Sequence, residues 1–302
     1  MIVDATDPDT HEQAIEAAAK VVREGKVVVL PTDTVYGVGA DAFDQVAVAM
    51  VLAAKHRSRD VPPPVLVPST RTVDGLGSDV PMYAKILIRH FWPGALTVVV
   101  RAQPSLAWDL GETNGTVALR MPDDLLTLLL LTEVGPMAVT SANRTGQPPA
   151  TTAEEAQGQL GGAVSLYLDG GPRTDSAPST IVDCTGAEPV VLRHGAIPAD
   201  RLREVLGTTV LHDAPPSEAA PSEAVPTAAV SDGLPEGEAL ADGRPGDERA
   251  AGEPTDREPT DGEGADSAAP VVDPLAAIVP RSSGLPVRAD ALRAVPAPDS
   301  LQ

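Results

Sequence analysis

Cysteine is nearly absent from this chain of 302 residues: Cys184 is the single one. That excludes an intramolecular disulfide and a Cys-x-x-Cys zinc pair, so a reducing cytoplasm is the expected compartment. Cys184 itself reads as a small apolar side chain buried on a strand. Aromatic residues make up only 2% of the chain, which weakens any reading as a single-stranded nucleic-acid binder built on stacking platforms. No run of about 18 apolar residues occurs, so no membrane-spanning helix is expected. Met1 to Thr10 is polar and acidic, without the basic flank and apolar run of a secretory signal. Several site signatures are missing as well. There is no Gly-x-x-x-x-Gly-Lys-Ser/Thr loop, no Gly-x-Ser-x-Gly elbow and no His-Glu-x-x-His, and the five histidines are scattered. Serine-hydrolase and zinc-hydrolase chemistry therefore lack support, no protein-bound metal is expected, and any ATP site has to be of another type.

Basic residues are few, 22 Lys and Arg against 43 Asp and Glu, for a formal net charge of -21. The excess is unevenly spread. From about Thr208 onward Ala, Pro, Glu, Asp, Gly and Ser dominate, Phe, Tyr and Trp are absent, and more than half of the surplus carboxylates are found there. Such a segment cannot bury enough apolar surface to offset ordering entropies of about 1–2 kcal/mol per residue. The expected division is a folded domain over residues 1–207 and a disordered acidic tail over 208–302. A folded part that is only mildly acidic can still hold an anion in a local basic cleft.

Within 1–207 the apolar periodicity alternates between helix and strand. Residues 11–24 place Ala14, Ala17, Ala18, Val21 and Val22 on one helical face, with Thr10 as N-cap and Gly25 as terminator. Residues 26–30 follow as a strand buried on both faces. Further helices are expected over 45–55, 82–90, 124–132, 152–160 and 201–206. Strands are expected over 65–67, 96–101, 117–120, 137–140, 166–169, 180–183 and 190–193. The pattern predicts one α/β domain with a twisted mixed β-sheet flanked by helices, because short turns such as 184–189 do not suit purely parallel winding.

Polar clusters interrupt this pattern at strand ends, where α/β folds place ligands. The first is the loop Pro31-Thr32-Asp33-Thr34-Val35-Tyr36-Gly37-Val38-Gly39-Ala40-Asp41, which taken alone also suits a tight glycine turn with capping hydroxyls. Lys55-His56-Arg57-Ser58-Arg59-Asp60 either complements a helix dipole or clamps phosphate, Arg offering planar bidentate donors and Lys a compact charge. Thr140-Ser141-Ala142-Asn143-Arg144-Thr145-Gly146, Ser176-Ala177-Pro178-Ser179-Thr180 and Arg193-His194-Gly195 are equally open to structural readings. Arg120, closing a strand, is either a carboxylate anchor or a surface charge.

In this order the clusters resemble the YrdC-like family of threonylcarbamoyl-adenylate synthases, the TsaC type. The resemblance rests on Pro-Thr-Asp-Thr-Val-Tyr-Gly at 31–37, Lys-x-Arg at 55–57, Trp-Pro-Gly-Ala-Leu-Thr at 92–97 and Ser-Ala-Asn at 141–143. Pro-Ser-Thr-Ile-Val-Asp at 178–183 and Leu-Arg-His-Gly-Ala-Ile at 192–197 complete it. It implies a single YrdC-like domain with a concave basic cleft. It also implies an adenylyl transfer that makes threonylcarbamoyl-AMP from L-threonine, bicarbonate and ATP with Mg²⁺. Lys55, Arg57, Ser141, Asn143 and Arg193 would line the ATP side, with Lys55 and Arg57 acting on the leaving group, and Thr34, Arg120, Thr140 and Ser179 would line the threonine side. The implied partners are a tRNA-modifying threonylcarbamoyl-transferase complex and tRNA or double-stranded RNA. The chain departs from the family pattern at His56 for Gly, Ser58 for Pro, Val61 for Asn, Pro63 for Leu, and Leu66 for His. An RNA-binding module using the same cleft without nucleotide turnover is the alternative. A carbamoyl-adenylate domain of hydrogenase-maturation type lacks its zinc-finger cysteines here.

Overall fold

The computed structural model describes residues 1–174 and 177–214. Expectations for Ser176 and for the tail over 215–302 lie outside the described residues. Strand β1 (Ile2–Asp4) leads into α1 (His11–Arg23), β2 (Val28–Leu30), β3 (Gly37–Asp41), α2 (Gln45–Ala54) and β4 (Val65–Leu66). Next come the short α3 (Val73–Leu76), β5 (Gly77–Ser78), α4 (Met82–Phe91), β6 (Leu96–Ala102), β7 (Thr116–Arg120), α5 (Leu125–Val134) and β8 (Met137–Ser141). The chain continues through α6 (Ala153–Leu160), β9 (Leu166–Asp169), β10 (Thr180–Asp183), β11 (Val190–Arg193), α7 (Ala199–Leu206) and β12 (His212–Asp213). Side-chain caps set several helix starts, since the first backbone N–H groups of a helix have no partner within it. Asp44 accepts from the N–H of Val46 and of Ala47, each at 3.0 Å, at the head of α2. Asp124 does the same for Thr127 at 2.9 Å ahead of α5.

The strands form one mixed sheet in the order β1-β9-β2-β3-β8-β4-β7-β6-β10-β11-β12, with β5 paired to β6. Parallel pairs such as β2 with β9 and β6 with β10 alternate with antiparallel ones such as β2 with β3, β3 with β8 and β6 with β7. Successive strand residues point to opposite faces, and here they enter different cores. Val28 and Leu30 join Leu66, Met137, Val139, Leu166 and Leu168 under α1 and α5. Val27, Val29, Val38, Ala40 and Tyr167 pack on the other side against α2 and α6. On that same side Val98, Val100, Val117, Leu119 and Val182 pack beneath α4 and α7.

The first face is covered unevenly. No residue of β6, β7, β10 or β11 contributes to the core under α1 and α5. Among the side chains of those strands that face this way are Thr97, Val99, Arg101, Thr116, Ala118, Arg120 and Ile181. Val99, Ala118 and Ile181 are only half-buried. Half a sheet face without a covering helix, carrying arginines and hydroxyls among small apolar residues, is where the fold leaves room for a ligand.

Two expectations change. The stretch 37–41, read as part of a ligand loop, is strand β3, because its small residues suit a close neighbour rather than a loose turn. A Cβ added at Gly39 would stand 2.5 Å from the Val139 side chain and 2.7 Å from the Ala138 carbonyl. The boundary at residue 207 also moves: Leu211 is buried, and His212 and Asp213 pair with Val190 and Val191 as β12.

Candidate active site

Lys55 follows α2 and turns inward, its side chain 1% exposed. Its Nζ donates to the Ser141 carbonyl at 2.5 Å, to the Asn143 carbonyl and to Asn143 Oδ1 at 2.9 Å each, and lies 3.2 Å from Ser141 Oγ. The Lys55 carbonyl in turn accepts from the N–H and hydroxyl of Thr145 at 3.0 and 2.9 Å. Asn143, fully buried, uses Nδ2 to bond the carbonyls of Arg144 and Gln147. The Ser-Ala-Asn turn is therefore wrapped around a buried ammonium. An unpaired buried charge is so costly that the turn and the lysine have to form together. Beside it, Arg57 donates from Nη1 to Thr140 Oγ1 at 2.9 Å and from Nε to the Val61 carbonyl at 2.8 Å. The contact at residue 61 is to its backbone carbonyl and does not depend on the valine side chain.

A second assembly gathers at the start of β6. Arg120, 7% exposed, donates from Nε to the Gly94 carbonyl at 3.0 Å and from Nη1 to Thr34 Oγ1 at 3.2 Å, and pairs from Nη2 with Asp33 Oδ1 at 2.6 Å. The Trp-Pro-Gly motif serves this contact. The Trp92 indole donates to the Leu96 carbonyl at 2.8 Å, and the Gly94 N–H donates to the Met121 carbonyl at 2.8 Å, setting Gly94 beside the end of β7. Three residues on, Thr97 Oγ1 lies 2.9 Å from Ser179 Oγ. Arg193 closes the assembly, its Nε and Nη2 donating to the Ser179 carbonyl at 3.1 and 2.9 Å, with Nη2 also 3.1 Å from Ser179 Oγ. Gly195 is required by this approach, because a Cβ there would meet the Pro178 carbonyl at 2.2 Å and the Ser179 carbonyl at 2.6 Å. The two assemblies join through the backbone of the 31–36 loop, where the Ala142 N–H donates to the Tyr36 carbonyl at 2.8 Å.

Two groups escaped sequence reasoning. Asp33 was seen only as one polar residue of a loop, and Arg173 lies in a stretch with no signal of its own. Arg173 Nη1 pairs with Asp124 Oδ2 at 3.0 Å, Nη2 donates to the Gly170 carbonyl at 2.8 Å, and the guanidinium lies 5.6 Å from the Tyr36 ring centroid. Burial pushes the Asp124 carboxyl above the usual carboxylate range despite its bonds to Thr127 and Arg173. The Tyr36 hydroxyl, pushed up mainly by burial and then by the Asp169 carboxylate, stays protonated and donates to the Gly171 carbonyl at 2.7 Å. Two cavities of about 410 and 650 Å³ lie elsewhere, against Lys85 and Arg89 of α4 and between α4 and α7. They touch none of the expected site residues. Among the described residues no group of three or more His, Cys, Asp or Glu is placed to hold a metal ion.

An α/β protein with buried cations and hydroxyls at the open half of its sheet is suited to small anionic ligands. Residues 20–195 match the Sua5/YciO/YrdC family, described as "Telomere recombination". A curated Mycobacterium tuberculosis protein, provisionally named a threonylcarbamoyl-AMP synthase, is 54% identical over 204 residues, spanning 68% of this chain and 94% of the relative. The threonylcarbamoyl-AMP synthase of Bacillus subtilis is 40% identical over 209 residues, 68% of this chain and 60% of that protein. The crystal structure of P. abyssi Sua5 complexed with L-threonine superposes with a TM-score of 0.67 at 34% identity, over 70% of this chain and 62% of that one. E. coli YciO shares the fold, with a TM-score of 0.60 at 24% identity over 67% of this chain and 98% of that one. The chain belongs to the Sua5/YciO/YrdC family.

Proposed function

We propose that this chain is an L-threonylcarbamoyladenylate synthase, forming threonylcarbamoyl-AMP and pyrophosphate from L-threonine, bicarbonate and ATP for tRNA N6-threonylcarbamoyladenosine modification. The observation that carries the reading is the rim at the start of β6. There Gly94 holds Arg120 beside Thr34, and Thr97 meets Ser179 under Arg193. Three of the residues assigned to threonine, Thr34, Arg120 and Ser179, thus lie along one edge with Arg193 of the ATP set, while Thr140 sits with Arg57 in the other assembly. The names of the relatives support the same activity.

In this reading the threonine amine, as the free base, joins bicarbonate with loss of water, and the resulting N-carboxylate attacks the α-phosphorus of ATP and expels pyrophosphate. No protein nucleophile is needed. The residues hold two anions in line and balance charge on the leaving group. Arg193 supplies planar donors at the rim, and Arg57 supplies them beside the 141–143 turn. Lys55, turned into the 141–143 turn, acts by fixing that turn and by its charge behind it, rather than by the direct phosphate contact that the sequence alone suggests. The charge of the triphosphate would be neutralised in part by Mg²⁺ brought with it, since among the described residues no group of three or more His, Cys, Asp or Glu is placed to hold the ion. The product passes to a tRNA-modifying transferase complex, with tRNA the final acceptor. A cytoplasmic site of action agrees with the free buried thiol of Cys184. Among the described residues no helix is long and apolar enough to cross a membrane.

Mass spectrometry of a reaction containing ATP, threonine, bicarbonate and Mg²⁺ tests the activity; pyrophosphate formed without need of threonine or bicarbonate refutes it. Lys55→Ala and Arg57→Ala are each expected to slow pyrophosphate release at saturating threonine by at least about 10-fold, about 1.4 kcal/mol. Wild-type rates in both would remove these residues from the mechanism.

A further inference from the structure

We infer that Asp33 binds the α-ammonium of the amino acid, so that Asp33 and Arg120 together recognise a zwitterion rather than a carboxylate alone. The inference rests on the reading of Arg120 and Thr34 as the threonine side. Asp33 Oδ1 takes both the Arg120 guanidinium at 2.6 Å and the Asp123 N–H at 3.1 Å. Both of these bonds fall on Oδ1. The pair is largely buried, with side-chain exposures of 8% for Arg120 and 15% for Asp33.

Among the described residues only Arg173 Nε is a fully buried side-chain polar atom without a partner, so Oδ2 is not sealed away from solvent and an incoming cation can reach it. Arg120 does not need Asp33 to be aimed, since the Gly94 carbonyl and Thr34 Oγ1 already fix its Nε and Nη1. What Asp33 changes is the charge. A bare carboxylate arriving at Arg120 meets a guanidinium whose charge is already matched. A zwitterion brings its own cation on the carbon next to its carboxylate, within reach of Oδ2, and leaves the local charge balanced. To react, the ammonium gives up a proton to solvent and the free amine joins bicarbonate with loss of water; the nitrogen then keeps one N–H, which Oδ2 can still accept.

The test is calorimetric titration of the full chain and of Asp33→Asn with three probes: L-threonine, (R)-3-hydroxybutyrate, which lacks only the amine, and L-threoninol, which lacks the carboxylate. Asparagine keeps a neutral oxygen for Arg120 and Asp123. Wild type is expected to prefer threonine over hydroxybutyrate by at least about 10-fold. Asp33→Asn is expected to lose at least about 10-fold for threonine and threoninol while hydroxybutyrate binds unchanged or tighter. Equal losses for threonine and hydroxybutyrate would make Asp33 a positioner of Arg120 and overturn the inference, as would undiminished threonine binding. The wild-type ratio stands even if the variant misfolds: no preference for threonine over hydroxybutyrate overturns it. Wild-type protein that binds no threonine removes the functional reading and this inference with it, whereas threonine binding with the wrong ratio removes only the role of Asp33.

Discussion

The Nζ of Lys55 bonds both oxygens of Asn143, the backbone carbonyl and the side-chain amide, each at 2.9 Å. The asparagine is thereby both a ligand of the lysine and, through its Nδ2, the tie that folds the turn back on Arg144 and Gln147. Asn143→Ala removes an acceptor from a buried ammonium and donors from two carbonyls. It is expected to destabilise the fold by about 2–3 kcal/mol, read as a lower urea midpoint. Thr145→Val serves as the contrast. Its N–H still reaches the Lys55 carbonyl at 3.0 Å, so the loss is expected to stay within about 1 kcal/mol. Similar losses in both variants would show that the turn does not depend on Asn143.

His56 adopts φ of 53°, left-handed backbone that side chains with a Cβ enter at a penalty of about 1–2 kcal/mol. It stands where the family pattern has glycine, and its side chain is exposed. His56→Gly relieves that penalty and gives part of it back as chain entropy, for a net gain of about 0.5–1 kcal/mol. His56→Ala keeps the Cβ and is expected to show no gain. Denaturant midpoints of the two variants against wild type decide it.

How much of this was legible in the sequence differs by element. The α1 helix and buried β2 followed from apolar spacing and Gly25, and the hydroxyl and arginine clusters were found because they interrupt apolar runs at strand ends. Strand β3 was missed because glycines at 37 and 39 read as a turn, when they are there to admit Val139. Strands β1, β5 and β12 are two or three residues long and carry too little pattern to register. Asp33 and Arg173 matter through partners 87 and 49 residues away, Arg120 and Asp124. No local spacing announces such a pair. The inward turn of Lys55 is of the same kind, since a lysine after a helix looks the same whether it faces solvent or a buried turn.

Cys184 is 1% exposed, and burial, with the Asp183 carboxylate adding to it, pushes its thiol up to about 12. The native chain is expected to resist a thiol chromogen at pH 8 and to yield one thiol per chain once denatured. The folded value lies above the unfolded one near 9.0, so the folded state keeps a proton that the unfolded state gives up. The associated stability is fully present below pH 9 and is lost as pH climbs toward 12, at up to about 1.4 kcal/mol per pH unit. Cys184→Ala is expected to show a shallower alkaline decline in unfolding free energy than wild type. Equal slopes would place the thiol in contact with water.

Asp124 and Arg173 hold the loop that carries Asp33 and Thr34. Asp124 Oδ1 caps α5 at Thr127, whose hydroxyl donates to the Pro31 carbonyl. Arg173 takes Asp124 Oδ2 and covers Tyr36, whose hydroxyl is anchored at Gly171. The loop is thus tied at its first and last residues. Arg173→Met strands a carboxylate that burial already pushes upward, and breaking such a pair costs about 3–5 kcal/mol. The sign of its pH dependence follows. With the folded value above the unfolded one, protonation favours the folded state, so the deficit of Arg173→Met shrinks as pH falls and is largest where Asp124 is ionised. Asp124→Asn on the same background is expected to recover part of the loss at neutral pH, which a merely bulky role for Arg173 would not allow. Because the loop carries Thr34 and Asp33 and not Lys55 or Arg57, the KM for threonine is expected to rise more than that for ATP. An equal rise in both would detach the network from the threonine side.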